Sequence, residues 1–162
     1  MKTPIRGIAV FQDKKIKGTV IFTEDLKKND VIIEITLSGL KKNALLGFHV
    51  HEAGDLSDGC ASACAHFNPY GKKHGGIDSK ERHVGDLGNL VTNNLGEAKY
   101  SIRDNIIKLR GSKANIIGRG LVIHEGEDDC GLGGHEDSLT TGHSGGRSAC
   151  AVIGYRKVGN AA

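Results

Sequence analysis

The chain has 162 residues and a formal net charge of +3, a length that suits one domain spanning 1–162. Charged residues make up 25% and no apolar run nears the ~18–20 residues of a membrane span, which excludes a wholly disordered chain and a membrane-spanning helix. The 24 glycines, about twice the usual share, follow no collagen period, and the lysine pairs form no basic stripe with interleaved aromatics, so a nucleic-acid surface is not expected.

Short runs alternating apolar and polar residues dominate. They fall at 7–12, 18–23, 31–37, 45–52, 87–92, 98–102, 116–123 and 149–155. In the third, Val31, Ile33, Ile35 and Leu37 share a face, while Glu34 and Thr36 lie on the other. In the fourth, Phe48 and Val50 oppose His49 and His51. Turn signals such as Asn93-Asn94-Leu95-Gly96 separate several of them, and no window of 11 residues carries a convincing helical period. About eight short strands predict an all-β antiparallel sandwich or barrel.

Two segments break the strand rhythm, 53–85 and 125–146, with six and seven glycines. Loops this long are usually functional or disordered. The chemistry-bearing residues lie in or beside them, which favours function. His49-x-His51 places two imidazoles on one strand face. His66, His74 and His83 follow in the first loop, with Asp86 just beyond it, and His124 precedes the second loop. Imidazoles with one carboxylate suit zinc or copper rather than calcium or magnesium. His135 and His143 read as surface loop histidines. Cys60 and Cys64 are spaced C-x-x-x-C without a second close pair, and on spacing alone Cys60, Cys64, Cys130 and Cys150 read as four thiols.

The stretches GFHVHE (47–52), GC (59–60), HFNP (66–69), KHGG (73–76), ERHVGDLGN (81–89), IIGRGLVIHE (116–125), DD (128–129), TGHSGGR (141–147) and AC (149–150) resemble the copper/zinc superoxide dismutase family, almost end to end and in order. The resemblance implies an eight-stranded Greek-key barrel with an immunoglobulin-like sandwich architecture and two functional loops. It implies a superoxide dismutase, an antioxidant oxidoreductase that turns superoxide into dioxygen and hydrogen peroxide. One copper per subunit would be held by His49, His51, His66 and His124. One zinc would be held by His66, His74, His83 and Asp86, with His66 bridging as an imidazolate. Arg147 would dock the superoxide anion, Asp128 would orient one histidine from each site, and Cys60 and Cys150 would form a disulfide. Cys64 and Cys130 would then remain free. A cytoplasmic homodimer, with contacts near Gly54, Ile117 and Ile153 and a copper chaperone as loading partner, is also implied. The opening stretch, MKTPIRGIAVFQDKK, does not read as a secretory signal.

The alternative within the same fold is a copper-binding or copper-delivering relative without turnover. Such relatives lack copper ligands or add a thiol motif, whereas this chain keeps all six histidines, Asp86 and Arg147 and has no C-x-C. Departures from the family pattern are Leu46 for a histidine, Cys64-Ala65 for Gly-Pro and Ile77 for a proline. The second loop carries Glu125, Glu127, Asp128, Asp129, Glu136 and Asp137 but no lysine or arginine.

Overall fold

A computed structural model describes residues 2–158. The strands are β1 (Arg6–Gln12), β2 (Lys17–Asp25), β3 (Asp30–Ser38), β4 (Leu45–His51), β5 (Ser57–Cys60), β6 (Asp86–Val91), β7 (Ala98–Asp104), β8 (Gly120–His124) and β9 (Arg147–Tyr155). Eight of them form one antiparallel sheet in the order β6-β4-β8-β9-β1-β2-β3-β7. Its two edge strands approach each other, and the Val91 amide donates to the Tyr100 hydroxyl at 2.9 Å. The result is the expected all-β architecture, a nearly closed barrel.

Alternation explains the core. Val31, Ile33, Ile35 and Leu37 of β3 are buried while Glu34, Thr36 and Ser38 are exposed. From Leu46 onward β4 is buried on both faces. Leu46, Phe48 and Val50 join the barrel interior, whereas His49 and His51 are covered from outside by the long loops. The same holds for β8, where Leu121 and Ile123 enter the core and His124 lies under the second loop.

The strand expected at 116–123 begins only at Gly120. Residues 116–119 form a turn, closed by the Arg119 amide donating to the Ile116 carbonyl at 3.1 Å, with Gly118 at φ +85°. Ile153 is fully buried, so it cannot be a surface contact; its neighbours Val152 and Tyr155 are exposed instead. Both long loops hold some structure of their own. The first contains β5 and a single 3-10 turn, Ala61–Ala63, and the second contains a one-turn helix α1, Ser138–Thr141. Cys60 and Cys150 are disulfide-bonded, with Cα atoms 5.7 Å apart, and this fastens the first loop to β9.

Candidate metal centre

Two strands and two loops converge on the outer face of β4. The ligand atoms of His49, His51, His66 and His124 all lie within 4.8 Å of one another, and all four residues are buried. His51 Nε2 and His124 Nε2 are 3.3 Å apart. The other nitrogens of these rings are committed. His49 Nε2 donates to Asp128 Oδ2 at 2.6 Å, His51 Nδ1 donates to the Cys64 carbonyl at 2.7 Å, and His124 Nδ1 donates to the Gly145 carbonyl at 3.1 Å. Each of those bonds fixes a tautomer and leaves one lone pair for a metal.

A second cluster adjoins the first through His66. Asp86 Oδ1 lies 2.9 Å from His66 Nδ1, 3.0 Å from His74 Nδ1 and 3.2 Å from His83 Nδ1. His83 Nδ1 is also 3.3 Å from His66 Nδ1. The other Asp86 oxygen accepts from the backbone amides of Gly75 and His83, at 3.1 and 2.8 Å. His49 comes within the same 4.8 Å range of His66, His74 and Asp86. Its Nε2 is taken by Asp128, which leaves Nδ1 free for a metal, and His83 Nδ1 lies beside Asp86 Oδ1.

The donor set fits metal ions. His49 Nδ1 and His66 Nε2 are buried without a hydrogen-bond partner, and His74 Nδ1 has only Asp86 Oδ1, 3.0 Å away, beside it. A buried lone pair left unpaired costs about 1–3 kcal/mol, a cost that a bound cation removes. Protonation cannot fill the first cluster in its place. Burial, reinforced by repulsion from His66, lowers the pKa of His49 to about 3 and of His51 to about 2. Burial likewise lowers His124 to about 4. These rings stay neutral at pH 7 and keep their lone pairs. The second cluster is acidic instead. Burial alone would raise Asp86, but hydrogen bonds from His66, His74 and His83 outweigh it and hold the carboxyl well below its ordinary range. Burial would lower His74, but Asp128 and Asp86 outweigh it and raise it to about 9. A cation at His74 Nδ1 takes over the role of that proton. Three imidazoles and a carboxylate suit zinc, and four imidazoles suit copper.

Asp128 joins the clusters, one oxygen accepting from His49 and the other from His74 Nε2 at 2.7 Å. Burial would raise its pKa, but those two imidazoles outweigh burial and lower it to about 2. Gly142 lies against this carboxylate. A Cβ there, at φ +70°, would collide with Asp128 Oδ1 and His74 Nε2. Arg147 donates to the Cys60 and Cys64 carbonyls at 2.6 Å each. A cavity of about 630 Å³ touches His66 and His83, with Lys72, Lys73 and Arg119 on its walls. Arg147 does not line it, and its walls come from both long loops, Leu139 and Thr140 being of the second.

Sequence reading missed three contributors. Asn89 clamps Asp128 through its backbone, accepting from the Asp128 amide at 2.7 Å and donating to its carbonyl at 2.9 Å. The Cys64 carbonyl holds both His51 and Arg147. Arg82 is buried and pairs with Asp104 at 2.8 Å. Asn89 and Arg82 stand inside the ERHVGDLGN stretch, where the histidine and the aspartate drew attention away from them.

The copper/zinc superoxide dismutase family model matches residues 16–153. A superoxide dismutase [Cu-Zn] of Paramecium bursaria Chlorella virus 1 is 60% identical over 154 residues, covering 95% of this chain and 80% of that protein. One from Yarrowia lipolytica is 50% identical over 151 residues, covering 93% and 97%. The crystal structure of the clock protein EA4 superposes with a TM-score of 0.91 at 44% identity, covering 96% of this chain and 98% of that one.

Proposed function

The chain belongs to the copper/zinc superoxide dismutase family, and from that premise we propose that His49, His51, His66 and His124 hold the copper of this enzyme and His66, His74, His83 and Asp86 its zinc. The reaction converts two superoxide anions and two protons into dioxygen and hydrogen peroxide. Bound copper supplies a one-electron couple that serves both halves of the reaction, and bound zinc supplies a redox-silent charge beside it.

The roles of the chain's own residues follow from their bonds. His66 has one nitrogen in each cluster, so its Nε2 can hold a proton and pass it to the departing peroxide while Nδ1 stays with Asp86. Asp128 keeps His49 and His74 in their tautomers, as a carboxylate does for ligand imidazoles. Arg147 is held by two carbonyls with donors to spare, a fixed cation for a small anion. The supporting observation is the pair of buried, unpartnered nitrogens His49 Nδ1 and His66 Nε2.

The proposal covers one domain over 1–162, of which residues 2–158 are described. It includes a homodimer, supported by the exposed apolar Val152, which lies against Gly54, and by the exposed Tyr155. A cytoplasmic location is supported by the free thiols of Cys64, which is exposed, and Cys130. A copper chaperone as loading partner belongs to the same proposal. No helix among the described residues is long and apolar enough to cross a membrane.

A superoxide-consumption assay on copper- and zinc-loaded protein tests the site. Replacing His49 and His51 together with glutamine is expected to abolish turnover, whereas Arg147→Ile should leave metal content intact and slow the reaction at least about tenfold. Turnover surviving the double replacement contradicts the assigned copper site.

A further inference from the structure

Two histidines have no part in the site described above, and the fold stacks them against each other. His135 and His143 lie eight positions apart in the second loop, both exposed, with ring centroids 3.7 Å apart and planes inclined by 12°. His143 Nδ1 is 2.6 Å from Asp137 Oδ1. A carboxylate only accepts, so Nδ1 carries the hydrogen and the lone pair of neutral His143 sits on Nε2. This is the arrangement by which a carboxylate orients a metal-binding imidazole.

The frame around the pair is fixed. The Asp137 carbonyl accepts from the Thr140 and Thr141 amides at 3.1 and 2.8 Å, and the Asp137 side chain accepts from the Thr141 hydroxyl at 3.2 Å. The His135 amide donates to Ser138 Oγ at 2.9 Å, and that hydroxyl donates to Asp129 Oδ2. The His135 backbone and the His143 imidazole are therefore both tied to the single turn of α1.

We propose that His135 and His143 form a third metal site on the outer surface of the second loop, which takes a divalent zinc or copper ion with water completing its shell. Imidazole pairs select these ions over calcium or magnesium. Ring centroids within the first cluster range from 4.1 to 6.3 Å. A shared ion lies in the plane of both rings, so binding turns the two exposed rings out of their 12° stack toward the 30–67° inclinations of that cluster, a rotation about their side-chain bonds. The surrounding charge favours a cation. Residues 125–146 carry six carboxylates and no lysine or arginine in a chain whose net charge is +3. An ion here braces α1, which touches the second cluster through the His74 amide donating to the Leu139 carbonyl at 2.9 Å.

The test is a calorimetric titration of zinc into protein already loaded with copper and zinc at the interior sites and freed of excess metal. One additional ion per chain is expected. His135→Ala and His143→Asn, the latter suited to the φ of +52° at that position, should each weaken it at least about tenfold. Both variants should retain superoxide turnover, which shows that they fold. Absence of a third ion in the unaltered protein, or unchanged affinity in either histidine variant, overturns the proposal.

Discussion

Cys64 shows how much one backbone position carries. Its carbonyl accepts from His51 at 2.7 Å and from Arg147 at 2.6 Å, so it sets both a ligand ring and the cationic side chain. Yet the residue sits at φ 66° and ψ −153°, a region open almost only to glycine. Strain of this kind costs about 1–3 kcal/mol, and glycine's extra chain entropy recovers only about 0.5–1 of that. Cys64→Gly should therefore stabilise the metal-free protein by about 1 kcal/mol, raising its Tm by roughly 2–4 °C. Calorimetry checks this, and a lower Tm would mean that the side chain relieves more than it strains. The side-chain ligands were legible in the sequence, because His49-x-His51 on a strand and a histidine-rich glycine loop have a pattern. The role of Cys64 was not, since a carbonyl leaves no mark on residue type. For the same reason the cysteine itself read as incidental.

At the scale of elements, the first loop is held by more than its ligands. Arg82 lies at its end with a side chain 1% exposed, pairs with Asp104 at the end of β7, and donates to the carbonyls of Ile77, His83 and Val84. Asp104 in turn accepts from the Ile106 and Ile107 amides at 3.1 and 2.8 Å. Removing one partner strands a buried charge. Arg82→Met should destabilise the metal-free protein by about 3–5 kcal/mol in urea unfolding, and a loss below about 1 kcal/mol would contradict this account. Strand alternation made β1 to β4 readable. It failed at 116–119, where apolar Ile116 and Ile117 fit a strand but Gly118 turns the chain before β8 starts. It also gave no sign of β5 or α1, because Ser57–Cys60 and Ser138–Thr141 are too short for a period to show.

The whole molecule sets the field that a small anion meets. Lys72 and Lys73 line a cavity that Arg147 does not line, and the second loop carries six carboxylates and no lysine or arginine. Exposed charges act over about a Debye length, roughly 8 Å at physiological salt. The superoxide rate should thus fall less steeply with ionic strength than in relatives with lysine in that loop, and an equally steep fall would count against this reading. The Cys60–Cys150 bond ties the first loop to β9 across 90 residues, a link worth about 4–5 kcal/mol in the chain-entropy model. One imidazole, His66, is proposed to serve two metals held by the other named ligands. Anomalous diffraction from loaded crystals, recorded at the copper and zinc edges, tests it most directly. The account predicts copper beside His49 Nδ1, His51 Nε2, His66 Nε2 and His124 Nε2, and zinc beside Asp86 Oδ1 and the Nδ1 atoms of His66, His74 and His83. Copper or zinc density away from these atoms, or a His66 that touches neither metal, would contradict it.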